Sequence, residues 1–356
     1  MMQRDNTIDI LKAIGIILVV IGHSGFCGWG YNFIYSFHMP LFFIASGYFF
    51  NAKYLDNKKM YIKKKIQDLY IPFVKYSIIF LLLHNLFIDI GLLSESYGYL
   101  NAVSHYYDYK DIIRKTLNIV LRMSPSEYVL GAFWFLRSLF VGLILFMMSC
   151  FFLNKVFKDL KTSLIVCLLS FEILALILVY YPCIIIPQGG YRECLAVVFI
   201  SLGYLIKNYW HQLLDSNYTL FVSIAMVIPM EYLHVSMGYT PQFKDWAFIT
   251  LTGFCGFVLI YRLSKYINSL QNNLTAFLSD LGANSFYVLV FHFLMFKPIS
   301  FFKTYIYKLP HEMIGCHPVV DYFTETDFWW IVYSISSLFL SLMLGKIVKC
   351  IPLLKK

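Results

Sequence analysis

The chain has 356 residues, of which 59% are hydrophobic and 14% are charged, and its formal net charge at pH 7 is +9. Soluble domains carry about 25% charged residues, so this composition, with a mean hydropathy of +0.66, excludes an ordinary soluble protein and indicates an integral membrane protein. No nucleic-acid-binding motif accompanies the positive charge, so the charge is a signal of membrane orientation and predicts no nucleic-acid partner.

Apolar segments of suitable length predict a bundle of about ten membrane-spanning helices in one all-α domain that covers residues 1–356. No alternation typical of a barrel strand and no internal repeat accompanies them. The predicted spans are Ile10–His23, Phe33–Phe50, Ile71–Leu92, Phe133–Leu153, Ser163–Tyr181, Cys194–Ile206, Tyr218–Tyr232, Trp246–Leu263, Asn284–Phe302 and Phe328–Ile351.

The first segment, IDILKAIGIILVVIGH, is interpreted as an uncleaved span, because a histidine ends it and no small-x-small cleavage site follows before Trp29. Lys12 and His23 are eleven residues apart, which brings an α-helix round to within about 20° and advances it by about 16 Å. Ionisable groups inside a span usually face a cavity or a partner. The pair therefore predicts a lined passage through the bilayer, with an ammonium at one end and an imidazole at the other.

The second span is joined to the first by SGFCGWGYN, whose three glycines predict a tight outer hairpin. The chain returns as FIYSFHMPLFFIASGYFF, which puts His38 at a depth near that of His23, and we expect Pro40 to loosen the helix locally. Two histidines at similar depth favour chemistry over structural hydrogen bonding, with His23 and His38 as the candidate catalytic residues.

The next two connections are polar, and each has two interpretations. The inner segment KKMYIKKKIQDLY contains Lys63, Lys64 and Lys65, which suit contact with anionic lipid or with a phosphate. The outer segment 93–132 is rich in tyrosine and histidine, which suit either a membrane interface or stacking against sugar rings.

Two residues near the outer end of the fourth span are candidates for binding a substrate. Arg137 is expected to pair with a carboxylate such as Glu127 or to hold a substrate oxygen. Trp134 is expected to anchor the interface or to stack on a sugar. Arg192 and Glu193, which open the sixth span, predict a local ion pair.

Lysine and arginine are concentrated in alternate connections, and Lys355 and Lys356 follow the last span. This bias predicts a multi-pass protein of the cell membrane with both termini in the cytoplasm. Most of the eight cysteines lie in predicted spans and have no metal-ligand spacing, so we expect no metal site. A disulfide is left open among the cysteines predicted to lie on the outer side, which are Cys27, Cys183 and Cys316.

The segments RDNTIDILKAIGIILVVIGH and FHMPLFFIASGYFF resemble the amino-terminal signature of the acyltransferase 3 family, whose members are multi-span membrane enzymes that O-acetylate cell-surface carbohydrates. The branch that they most resemble is the fucose 4-O-acetyltransferase-like group. The segments YIKKKIQDLYIPF, FWFLRSLF and LGANSFYVLVFH extend the resemblance from Arg4 to about His292.

The resemblance implies acetyl-CoA as the acyl donor, no permanently bound cofactor, and a cell-surface sugar or polysaccharide as the acceptor. It implies that His23 takes the proton from a sugar hydroxyl or is itself acetylated in a relay. The family's basic residue, followed by ten residues and a histidine, corresponds to Lys12 and His23. Where many members carry two arginines spaced by two, this chain has Lys65 and Asp68. The candidate donor-binding residues are Lys12, Arg4, Lys64 and Lys65, and the candidate acceptor-binding residues are Arg137, Trp134 and His292.

Two other functions remain open from the sequence. Ten spans with intramembrane histidines also suit a transporter or a flippase of a glycan intermediate, although no inverted repeat is evident. A different class of membrane acyltransferase, with a histidine and an asparagine in the core, is less compatible with a histidine so near the N-terminus. Consumption of acetyl-CoA in the presence of the right glycan separates the enzyme from the transporter. The sequence does not identify the acceptor hydroxyl or the oligomeric state.

Overall fold

The computed structural model describes residues 6–98, 103–183, 185–238, 240–320 and 328–352, and in these ranges the chain is helical, without a β-strand. The predicted Arg4, Lys355 and Lys356 lie outside the described residues. The α-helices are α1 (Thr7–His23), α2 (Tyr31–Tyr35), α3 (His38–Tyr48), α4 (Lys58–Lys65), α5 (Ile71–Asp89), α6 (Tyr109–Arg122), α7 (Trp134–Phe157), α8 (Leu160–Tyr180), α9 (Tyr191–Asn208), α10 (Gln212–Asp215), α11 (Asn217–Val227), α12 (Met230–Leu233), α13 (Phe243–Leu270), α14 (Asn273–Ala283), α15 (Ser285–Ile306) and α16 (Trp329–Lys349). A π-helical turn (Ile66–Tyr70) links α4 to α5, and the 3₁₀ turns are Ala52–Leu55, Tyr128–Phe133 and His311–Gly315.

Six helical segments in the described residues are long and apolar enough to cross a membrane. They correspond to six of the ten predicted spans and confirm a multi-pass, all-α membrane protein. These segments are Lys58–Asp89, Tyr128–Phe157, Leu160–Tyr180, Phe243–Leu270, Ser285–Ile306 and Trp329–Lys349. The cytoplasmic location of both termini stays a prediction.

The other four predicted spans are shorter, charged or interrupted. The first is α1, with 17 residues, and the sixth is α9, with 18 residues that include Arg192, Glu193 and Lys207. The seventh is divided into α11 and α12 beside Pro229, which cannot donate a backbone hydrogen bond. The count of six is therefore lower than the predicted ten because it requires long helices with few charged residues.

The second predicted span is divided into α2 and α3, and the break precedes Pro40. The backbone leaves the helical region at Phe37 (φ −145°, ψ −17°), and α3 then begins at His38. Pro40 consequently falls in the first turn of α3, where a missing N–H costs little. The helix is therefore loosened locally, as expected, at a break one turn before Pro40. The Ser36 carbonyl, which the proline cannot bond, accepts a hydrogen bond of 2.9 Å from the Thr252 hydroxyl.

The chain forms two compact units. Unit 1 comprises Met1–Gly15, Trp29–Gln67 and Phe135–Ala283, and unit 2 comprises Ile16–Gly28, Asp68–Trp134 and Asn284–Lys356. The expectation of one acyltransferase-like domain over the whole chain stays a prediction.

Within unit 1, α3 and α9 pack at their closest approach through glycines. A Cβ at Gly47 would overlap the Ile200 carbonyl, and one at Gly203 would overlap the Ile44 carbonyl. Small residues of this kind let two apolar helices approach closely. Close approach matters in a bilayer because helices there associate through van der Waals packing, without a hydrophobic driving force.

Within unit 2, α15 is the central helix. It packs against α16, with Gly345 against the Tyr287 ring, and against the 3₁₀ turns Tyr128–Phe133 and His311–Gly315. Ser337 on α16 donates a hydrogen bond of 2.9 Å to the His292 carbonyl on α15. The polar side chains of α15 are therefore held in a buried environment on several sides.

Candidate active site

Lys12 is held on α1 by an acidic residue one turn earlier. Its ammonium lies 2.7 Å from the Asp9 carboxylate, and 28% of its side chain is exposed. Positions three residues apart lie on one helix face, so the pair is favoured locally. The ion pair fixes a partly accessible cation in the second turn of the helix.

A second lysine, which the sequence analysis did not single out, lies near Lys12 in unit 1. The ammonium groups of Lys12 and Lys207 are 5.8 Å and 5.9 Å from the centre of the Phe49 ring, and Lys207 is also 5.2 Å from the Tyr48 ring. Phe49 is 58% exposed. These residues form an exposed aromatic surface with two cations beside it, and either phosphate or lipid could contact such a surface.

The two predicted lysines of α4 contact aromatic residues. The Lys64 ammonium donates a hydrogen bond of 3.4 Å to the Tyr54 hydroxyl. The Lys65 ammonium lies 5.2 Å from the centre of the buried Tyr61 ring. Their partners Tyr54 and Tyr61 contact each other, with ring centres 4.9 Å apart, so both lysines lie beside one pair of tyrosines.

His23 is the last residue of α1 and is half-buried within unit 2. Its ring lies 5.7 Å from the His292 ring, nearly stacked at 29°, and 4.9 Å from the Phe293 ring. His23 is therefore a partly accessible imidazole beside a buried one.

His292 is fully buried, and its tautomer is fixed by its own helix. Its Nδ1 lies 3.0 Å from the carbonyl oxygens of Val288 and Leu289, and carbonyls only accept, so Nδ1 carries the proton. Its Nε2 is buried without a hydrogen-bond partner. An unpaired buried acceptor costs about 1–3 kcal/mol, and this nitrogen is available to a hydrogen-bond donor.

His317 and Lys297 are two residues of this region that the sequence analysis missed. The His317 ring packs 4.8 Å from the Phe293 ring, so three histidines, including His23 and His292, surround one phenylalanine. The buried Lys297 ammonium donates to the carbonyls of Ile314 (3.0 Å) and Cys316 (2.7 Å). This cation thereby fixes the segment that carries His317 against α15.

His317 lies in the segment between α15 and α16, outside the membrane-spanning helices. Burial, and to a smaller extent the charges of Lys297 and His292, holds the pKa of His317 well below its ordinary value. The imidazole is therefore neutral at neutral pH and can accept or donate a hydrogen bond without carrying charge.

A buried histidine–glutamate pair forms within unit 2, where the sequence analysis predicted none. His84 Nδ1 lies 2.6 Å from Glu127 Oε2, and His84 Nε2 donates 3.0 Å to the His105 carbonyl. The Tyr107 ring stacks on His84 at 3.5 Å. Since Glu127 is bound to His84, the suggested Glu127–Arg137 pair is wrong.

Arg137 instead binds Glu193 within unit 1. Its Nε donates a hydrogen bond of 2.9 Å to Glu193 Oε1, and the same oxygen accepts a hydrogen bond from the Ser138 hydroxyl. The suggested local pair between Arg192 and Glu193 is therefore also wrong, because Glu193 pairs across to α7. Trp134, the first residue of α7, is half-buried.

His38 is buried in unit 1 near the start of α3. Its Nδ1 donates 2.8 Å to the Ile34 carbonyl, and the Tyr35 ring contacts it edge-on at 4.9 Å. In the neutral form its Nε2 is then an acceptor. The sequence expectation that His38 lies at the same depth as His23 stays a prediction.

No group of three metal-ligating side chains that could hold a metal ion occurs in the described ranges. All eight cysteines are free thiols, so the disulfide left open by the sequence is not formed.

Comparison with protein families matches residues 5–346 to the acyltransferase 3 model, which describes an acyltransferase domain. No curated protein and no solved structure matches the chain. The match covers nearly the whole chain, and the six apolar helices agree with a multi-pass membrane enzyme. The resemblance to the fucose 4-O-acetyltransferase-like branch stays a prediction. The chain belongs to the acyltransferase 3 family.

Proposed function

We propose that this protein transfers an acetyl group from cytoplasmic acetyl-CoA to a hydroxyl of a cell-surface sugar or polysaccharide, with His23 as the general base. The observation that carries the proposal is the continuity of α1, which bears both Lys12 and His23 on 17 residues of unbroken helix. The rise of about 1.5 Å per residue separates them by about 16 Å, a distance that a thin pantetheine arm can span.

The donor's phosphates suit the cationic end of α1. Lys12 and Lys207 flank the exposed Phe49 ring, and Lys64 and Lys65 lie on α4. An ammonium binds phosphate as a compact point charge. Arg4, which lies outside the described residues, is a further candidate contact for the donor.

In the proposed reaction, His23 takes the proton from the acceptor hydroxyl as the hydroxyl oxygen attacks the thioester carbonyl. Collapse of the tetrahedral intermediate breaks the carbon–sulfur bond, and the imidazolium returns its proton to the departing thiolate. The products are the acetyl ester and CoA. A route through acetylated His23 has the same overall balance and is the alternative mechanism.

Two other histidines suit different parts of this reaction. The unpaired Nε2 of His292 can accept a hydrogen bond from an acceptor hydroxyl beside His23. His38 has its Nδ1 proton bound to Ile34, so its neutral form suits holding a hydroxyl better than donating to an oxyanion. Arg137 and Trp134 are the proposed contacts to the rest of the acceptor.

The proposed activity is tested with the full-length protein in liposomes, acetyl-CoA labelled in the acetyl group, and de-O-acetylated surface polysaccharide. We expect labelled ester-linked acetate on the polysaccharide, detected by mass spectrometry and released by mild alkali. Passage of an intact glycan across the membrane, with no dependence on acetyl-CoA, would instead favour a transporter.

Replacing Lys12 by glutamine is expected to raise the KM for acetyl-CoA by about 10–100-fold, since hydrogen bonds to charged groups contribute about 1.5–3 kcal/mol. Glutamine can still donate to Asp9, so the local contact is kept while the charge is lost. The measurement is initial rate against acetyl-CoA concentration. Lys59→Gln, which removes an exposed lysine of α4, is the matched control, and equal KM values for the two variants would contradict the role of Lys12.

A further inference from the structure

Two arginine side chains in unit 1 converge on one neutral amide oxygen. Gln188 Oε1 accepts two hydrogen bonds, one of 3.1 Å from Arg137 Nη2 and one of 2.7 Å from Arg192 Nη1. Arg192 also donates 2.8 Å through Nε to the Met237 carbonyl. A carboxylate at the position of this amide oxygen would form charge-assisted bonds to both guanidinium groups, which are stronger than bonds to a neutral acceptor.

The side chains that surround this amide oxygen form a largely buried group. Arg137, Arg192 and Glu193 are all at least nine-tenths buried, whereas Gln188 is half-buried. Gln188 has a left-handed backbone (φ 62°) in the segment before α9, where Gly189 and Gly190 also have positive φ. The cations are therefore fixed in the interior, and the residue that covers them belongs to a tight connection, which the sequence predicts on the outer side of the membrane.

Two atoms of the same group have no hydrogen-bond partner. Arg137 Nη1 is a buried donor without an acceptor, and Glu193 Oε2 is a buried acceptor without a donor. The reason is geometric, because Arg137 gives Nη2 to Gln188 and only Nε to Glu193. A hydroxyl can accept a hydrogen bond from the first atom, and a hydroxyl can donate one to the second.

We propose that the Gln188 side chain occupies the place of a carboxylate of the acceptor, so that Arg137 and Arg192 bind the carboxylate of an acidic sugar. Arg137 Nη1 and Glu193 Oε2 are then available to hydroxyl groups of the same sugar. This inference rests on the proposed function, since it takes the ligand to be the glycan acceptor. It narrows the acceptor from carbohydrates in general to those that carry a carboxylate, because planar carboxylates match the guanidinium fork.

Gln188→Glu tests the proposal most directly, because it supplies the carboxylate from within the chain. The full-length protein in detergent is titrated with a glucuronate-containing oligosaccharide and with the same oligosaccharide after carboxyl reduction. We expect the wild type to bind the acidic form at least about tenfold more tightly, the order of one charge-assisted bond. We expect Gln188→Glu to lose that preference and to unfold at a higher temperature. Gln188→Ala, which opens the site, is expected to keep the preference.

Gln212→Glu, an exposed glutamine on α10, is the control for added negative charge and is expected to retain the preference. Equal binding of the acidic and reduced forms by the wild type would overturn the proposal, as would an intact preference in Gln188→Glu. If vesicles of an anionic phospholipid bind the protein and the acidic oligosaccharide does not displace them, the site is assigned to a lipid phosphate. That result would also overturn the proposal. Binding is measured without acetyl-CoA. If the protein prefers the carboxylate but does not transfer acetyl groups, only the proposed function is refuted. If it transfers acetyl groups without that preference, only this inference is refuted.

Discussion

His23→Ala is expected to lower acetyl transfer by about 10²–10⁴-fold, the usual contribution of a positioned general base. Alanine removes the only group of α1 that can take a proton beside His292 and Phe293, while the preceding residues still form the helix. The loss is expected mainly in kcat, because the proton moves in the transition state. The measurement is the rate of ester formation at saturating acetyl-CoA, with membrane insertion checked separately.

His105→Ala is the matched control, because the His105 side chain is exposed and only its carbonyl binds His84. We expect this variant to keep the wild-type rate. Full activity in His23→Ala would remove the general-base assignment. Recovery of acetylated His23 from a brief reaction of the wild type would favour the relay mechanism over direct transfer.

Gly203→Ala is expected to destabilise the protein by about 3 kcal/mol or more, at the upper end of the cost of overpacking. The added Cβ would overlap the Ile44 carbonyl at the contact between α3 and α9. Backbone atoms of two packed helices cannot move aside as a flexible side chain can, so the helices must separate. The measurement is the midpoint of thermal unfolding in detergent, and Gly47→Ala is expected to give a similar loss.

Gly28→Ala is the control for this effect. A Cβ at Gly28 would meet the Phe26 ring at 3.4 Å, an ordinary contact, and residue 28 is exposed. Its midpoint is expected to stay close to that of the wild type. An unchanged midpoint in Gly203→Ala would mean that α3 and α9 do not pack through these glycines.

The fold class and the shared helix face of Lys12 and His23 can be predicted from the sequence, because both depend on local periodicity. Apolar length predicts helices, and helix geometry alone puts Lys12 and His23 on one face. The break between α2 and α3 does not follow in the same way. Pro40 indicates a local loosening, but the segment is mostly apolar, so hydropathy alone cannot distinguish one span from two shorter helices.

The residues that the sequence missed depend on contacts between distant segments. Lys297 gives a detectable signal, since a lysine within an apolar helix is uncommon and needs partners. Its partners are backbone carbonyls of residues 314 and 316, which no side-chain pattern marks. For Arg137 the sequence suggested the nearby carboxylate Glu127, whereas tertiary packing pairs it with the distant Glu193 and leaves Glu127 to His84.

The backbone bonds of His292 have a consequence for the choice of acceptor. With Nδ1–H committed to carbonyls of its own helix, the neutral ring presents only a lone pair at Nε2. In the proposed reaction the esterified hydroxyl gives its single proton to His23, so a hydrogen bond to Nε2 has to come from a second hydroxyl. That bond is not consumed by the reaction, and it would favour a polyol over a simple alcohol.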